Sequence, residues 1–199
     1  MKKNHLLCSL GIPLLFLNSA LAAGTTTGTT GTIGATLTLT SACMVNGNPT
    51  DSSGLALGTL SFGAFPTTTF TSASATLSVT SGSNGSAISV LCSPGVTPVL
   101  TVISSNSLPV NGVVHGTAPS TPRYLTGASN PLQTIVYGLY TDSAYSTIVT
   151  NNTTVVATTT GDSTYGSLYT FFGNITGVSG PASLYPDSYS DTINVQITY

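Results

Sequence analysis

Short apolar runs that alternate residue by residue with polar ones, with no helical repeat anywhere, most constrain what this chain can fold into. Ile33, Ala35, Leu37 and Leu39 alternate with Thr and Gly, and a similar period of two recurs in residues 55–62, 75–79, 87–92, 99–103, 134–140, 154–159, 168–172 and 192–199. Successive side chains of a strand point to opposite faces, so the pattern predicts half-buried strands, and the β-branched and aromatic residues filling them agree. Turn-forming clusters separate the runs: Asn46-Gly47-Asn48-Pro49, residues 81–85, Ser93-Pro94-Gly95, Asn111-Gly112, Gly161-Asp162 and residues 179–181. Many short strands at this spacing predict an all-β fold, a β-sandwich.

The two ends differ from the middle. Met1-Lys2-Lys3, the apolar run Leu6 to Leu17 and the small-residue site Ala20-Leu21-Ala22 have the form of a secretory signal over residues 1–22, too short to span a bilayer. Residues 23–32 are nearly all Thr and Gly, without a core-forming side chain, and are expected to be a mobile arm when alone. At the other end, Asp191-Thr192-Ile193-Asn194-Val195-Gln196-Ile197-Thr198-Tyr199 alternates to the last residue, so the sheet is expected to expose an edge.

Charge excludes whole classes of function. With Lys2 and Lys3 in the leader, Arg123 is the one basic side chain left, against Asp51, Asp142, Asp162, Asp187 and Asp191. Nucleic-acid binding needs a basic footprint and anionic lipid a polybasic one, so neither partner is expected, nor any membrane insertion. Disorder is not expected either, because 40% of the residues are hydrophobic and spread throughout.

Cys8 falls in the leader, which leaves Cys43 and Cys92. In an exported protein an even pair reads as a disulfide, the alternative being two buried free thiols. Closing a loop of this length stabilises a fold by about 4 kcal/mol in the chain-entropy model.

Catalytic and metal readings fare poorly. His115 lies in Asn111-Gly112-Val113-Val114-His115-Gly116, with no nucleophile-elbow pattern, and is expected to be an exposed loop histidine. One such His with scattered Asp residues supplies no metal-ligand spacing, so neither metal nor cofactor is expected. Asp142, Asp162, Asp187 and Asp191 read as turn formers and surface charges in preference to a glycosidase pair. Tyr137, Tyr140, Tyr165, Tyr169, Phe171 and Phe172 read as packing residues in preference to a sugar-stacking site.

Several pieces stand out in order along the chain: Thr38-Leu39-Thr40-Ser41-Ala42-Cys43, Gly58-Thr59-Leu60-Ser61-Phe62-Gly63, Ile88-Ser89-Val90-Leu91-Cys92, Arg123-Tyr124-Leu125, Tyr137-Gly138-Leu139-Tyr140-Thr141-Asp142, Tyr169-Thr170-Phe171-Phe172-Gly173 and Tyr189-Ser190-Asp191-Thr192 with the closing strand. Together they resemble the spore coat protein U domain of archaic, Csu-type chaperone-usher pilus subunits. The resemblance implies an immunoglobulin-like sandwich lacking its last strand, completed by donor-strand complementation. It implies a periplasmic pilus chaperone that first fills the groove, an outer-membrane usher, and neighbouring pilin subunits whose N-terminal arms replace the chaperone. On this sequence the donor arm falls in residues 23–36 and just beyond, with Ile33, Ala35 and Leu37 as groove-fillers. The pilin domain spans 37–199, with Leu39 and Cys43 in its own first strand. The acceptor edge falls on Ile193, Val195 and Ile197, with the terminal carboxylate of Tyr199 as an anchor for the chaperone. Such a protein reaches the cell surface through the periplasm and supports attachment and biofilm formation. The rival readings are a monomeric carbohydrate-binding adhesin, a spore or cyst coat component, and a periplasmic hydrolase built on His115 or the Asp residues.

Overall fold

The structure, a computed structural model, describes residues 28–49, 54–79, 85–179 and 183–199. The expected leader, Ala23 to Thr27 of the arm, Asp51, and parts of the turns at 81–85 and 179–181 lie outside the described residues. Two units separate, with the boundary between Thr38 and Leu39. In the first, the described residues 28–38 form no strand and are all exposed.

The second unit, Leu39–Tyr199, is all-β, with no helix among the described residues. In chain order its strands are β1 (Cys43–Val45), β2 (Asn48–Pro49), β3 (Thr59–Leu60), β4 (Ala73–Ser78), β5 (Ile88–Cys92), β6 (Val99–Ser104), β7 (Val113–His115) and β8 (Arg123–Gly127). They continue with β9 (Gln133–Tyr140), β10 (Thr153–Val155), β11 (Thr159–Asp162), β12 (Gly166–Tyr169), β13 (Phe172–Ile175), β14 (Tyr189–Ser190) and β15 (Asn194–Thr198). Three sheets result, ordered β11-β12-β5-β1-β2, β10-β6-β15 and β14-β8-β9-β13-β4-β3, with β7 parallel beside β9. Val45, Val90, Leu100, Val102, Leu77, Leu139 and Val155 form one cluster that draws on all three sheets, as in a β-sandwich.

Local chemistry explains the turns. Asn46 and Gly47 both take positive φ, 49° and 77°, which is the type I′ geometry that joins β1 to β2. The Asn46 side chain is buried and accepts the Ser89 N–H at 3.0 Å, so the turn is tied to β5 as well.

Four strand expectations need correction. The run 154–159 is split: its start belongs to β10, which pairs with β6, and its last residue to β11, which pairs with β12 in another sheet. The run 168–172 is broken: β12 pairs with β5 in the first sheet, whereas β13 pairs with β4 and β9 in the third. The chain changes sheets at Thr170 and Phe171, so one run rich in apolar residues serves two layers. The run 55–62 gives only the two residues of β3, because Gly58 adopts φ 142° and interrupts the ladder. A Cβ there would lie 2.7 Å from the Ser78 carbonyl, so only glycine fits this position. Leu39 is not in the first strand, which begins at Cys43. Pairing stops at Ala42, whose carbonyl accepts the Ser93 N–H, because the Ser93-Pro94-Gly95 turn carries the partner strand away.

Cys43 and Cys92 form a disulfide and sit directly opposite each other in the β1–β5 ladder. Cys43→Ser with Cys92→Ser is expected to cost about 2–5 kcal/mol of stability, read as a lower urea midpoint of the mature chain. An unchanged midpoint would show that the bridge contributes nothing to the folded state.

Candidate functional site

Two strands that end their sheets face a common cleft. β15 pairs only with β6, and β3 only with β4, among the described residues. Between β15 with the residues leading into it and the segment from Gly54 to Phe65 lies a cleft of about 1240 Å³. That is larger than most small-molecule pockets. Each strand presents backbone N–H and C=O groups on its outer side, where no further strand lies among the described residues.

The side chains along both walls alternate. On β15 and just before it, Ile193, Val195 and Ile197 are half-buried and line the cleft, while Asn194, Gln196 and Thr198 are exposed. On the opposite wall, Leu55 and Leu57 alternate with exposed residues, as do Leu60 and Phe62. The positive φ of Gly58 accompanies a shift of phase by one residue, so both apolar pairs are half-buried along the cleft. Leu77, Val102, Leu139 and Phe171 contribute to the lining from the core.

One end of the cleft is polar. The Tyr137 hydroxyl donates to Asp191 Oδ2 at 2.7 Å, and the Asn106 N–H donates to Asp191 Oδ1 at 2.6 Å. Burial, reinforced by the neighbouring carboxylate, raises the Tyr137 phenol far above its ordinary value despite the pull of Arg123, so it stays a neutral donor. Arg123 is 1% exposed; its Nη2 donates to the Val149 carbonyl at 3.1 Å, and Nε and Nη1 have no hydrogen-bond partner among the described residues. Burial lowers its pKa, partly offset by Tyr137 and Asp191. Nearby, Asp187 accepts the N–H groups of Ser129, Asn130 and Ser188. Desolvation acts to raise its pKa, but these bonds outweigh it and hold the carboxyl below the usual range.

Of the four residues assigned to the acceptor edge, the structure brings Ile193, Val195 and Ile197 to the cleft, whereas Tyr199 is 55% exposed and outside the lining. The groove-fillers of the arm all stand exposed: Ile33 at 98%, Leu37 at 82% and Ala35 likewise.

Two single-residue expectations are overturned. His115 is no exposed loop residue: it ends β7, is 5% exposed, and its Nε2 lies 2.7 Å from Gln133 Oε1. Val113-Val114-His115 runs beside β9, a long-range pairing that no local pattern reveals. Asp191 is no turn former either: its carboxylate is held by Tyr137 and Asn106, both distant in sequence. Asp142 and Asp162 are turn formers as expected, each accepting backbone N–H groups of its own turn, whereas Asp187 ties down the distant loop at Ser129 and Asn130 as well as its neighbour Ser188. Among the aromatics, Tyr137, Tyr169 and Phe171 are buried, and Tyr140, Tyr165 and Phe172 half-buried, as packing residues are.

No curated protein matches this sequence. Residues 29–196 match the family model of the Spore Coat Protein U domain, a span that runs from the exposed arm through both walls of the cleft to Gln196 of β15. The chain belongs to the Spore Coat Protein U domain family.

Proposed function

We propose that this chain is a structural subunit of an archaic chaperone-usher pilus that polymerises by donor-strand exchange and so supports surface attachment and biofilm formation. The observation that carries the reading is the cleft between two edge strands, apolar at alternate positions along β15 and, in two pairs either side of Gly58, along the opposite wall. Such a cleft suits an extended segment, whose backbone can bond to the open edges while alternate side chains enter the cleft. The chain holds a segment of that kind: Ile33, Ala35 and Leu37 recur at the same spacing and stand exposed in the first unit. Family membership supports the same reading.

On this proposal the sandwich lacks its last strand, and the arm of a neighbouring subunit supplies it. Before assembly, a periplasmic chaperone covers the cleft, and an outer-membrane usher exchanges chaperone for arm. The protein acts by assembling, without catalysing a reaction, and its place is the cell surface. Assembled material is expected to run as a ladder on a denaturing gel without boiling and as monomer after it. Monomer in both lanes would sink the proposal and favour a self-sufficient adhesin or a coat protein held by other contacts.

A further inference from the structure

Both walls of the cleft meet on one side chain. Tyr137 lies on β9 and lines the cleft from its floor. Its hydroxyl holds Asp191, three residues before β15 begins, and Asp191 is held in turn by the Asn106 N–H beyond the end of β6. Its ring packs edge-to-face with that of Phe62 at a centroid distance of 5.6 Å and an interplanar angle of 68°. Phe62 belongs to the opposite wall and reaches β13 with the tip of its ring, where a Cβ on Gly173 would come within 2.5 Å of it. One hydroxyl thus pins the root of the β15 wall, and the same ring braces the other wall.

The geometry points to Tyr137, with Asp191 and Phe62, as the positioning device that fixes the spacing of the two edge strands and so decides whether the cleft admits a β-strand. This rests on the strand-accepting reading of the cleft. An added strand must sit about 4.8 Å from each neighbour, so a cleft too narrow or too wide loses hydrogen bonds along one edge. Tyr137 acts through the walls and does not itself bond to the incoming backbone.

The probe is a fluorescent peptide of residues Gly28 to Ser41, titrated into the dilute mature chain. Tyr137→Phe and Asp191→Asn are each expected to weaken binding about tenfold. The loss in the double variant should fall short of the sum of the single losses, because the two side chains share one bond. Phe62→Leu should weaken binding by a similar factor. Tyr169→Phe removes a hydroxyl bond of like kind, to the Pro98 carbonyl at 3.1 Å and away from the cleft, and should leave affinity unchanged. That control separates positioning from general loss of stability. Unchanged affinity in the Tyr137 and Asp191 variants, independent additive losses in the double variant, or an equal loss in Tyr169→Phe would overturn the proposal while leaving the strand-accepting reading intact. Absence of peptide binding by the wild-type chain would overturn that reading, and this inference with it.

Discussion

Removing Gly24 to Ala35 is expected to leave a folded, chaperone-bound subunit that forms no polymer. The compact unit begins only at Leu39, so the deletion touches none of its core. It does remove Ile33, which is 98% exposed in this structure, together with Ala35 and the backbone around them. Burying an aliphatic side chain of that size contributes about 1.5–3 kcal/mol, and a bridging strand also satisfies the bare edges of β3 and β15. Losing both removes most of the drive to add a subunit. The denaturing-gel ladder should vanish, while co-purification with the chaperone should persist. A ladder of normal length from the deleted chain would place the donor elsewhere in the sequence.

Val195→Asp should produce a comparably large defect from the receiving side. Val195 lies mid-wall on β15 and is half-buried before any strand is added, so an Asp there remains hydrated in the unassembled subunit. Covering it with an apolar strand would bury an unpaired carboxylate, a cost of at least about 3 kcal/mol, or more than a hundredfold in affinity. Thr198→Asp, exposed on β15 and outside the cleft lining, should have little effect. The comparison is best read as peptide affinity for the two variants. Equal affinities would mean that the β15 face described here is not the one that receives the strand.

The parts of the fold that follow from local pattern were legible in the sequence. The alternation of Ile193, Val195 and Ile197 describes the cleft wall correctly, and Asn46-Gly47 announces its hairpin, because both depend on residues a few positions apart. Long-range pairing left no such trace. His115 looks like a loop residue until β9 lies beside it, and nothing in the sequence marks Arg123 as buried next to Tyr137 and Asp191. Burying a guanidinium without a full set of partners is costly, so composition alone argues for the wrong placement. Asp191 and Tyr137, 54 residues apart, become partners only once the fold is complete. The stretch through Thr170 and Phe171 reads as one strand because apolar continuity carries no sign of which layer each half joins.

The disulfide has a mechanical corollary. Cys43 is the first residue of β1, and Cys92 ends β5, which lies between β12 and β1. A pull on the residues before Cys43 therefore reaches a covalent crosslink to an interior strand before it can peel β1 from its neighbour one hydrogen bond at a time. In a filament stretched by flow, the bridge would divert tension into the centre of the sheet, and a reduced subunit should extend at lower force.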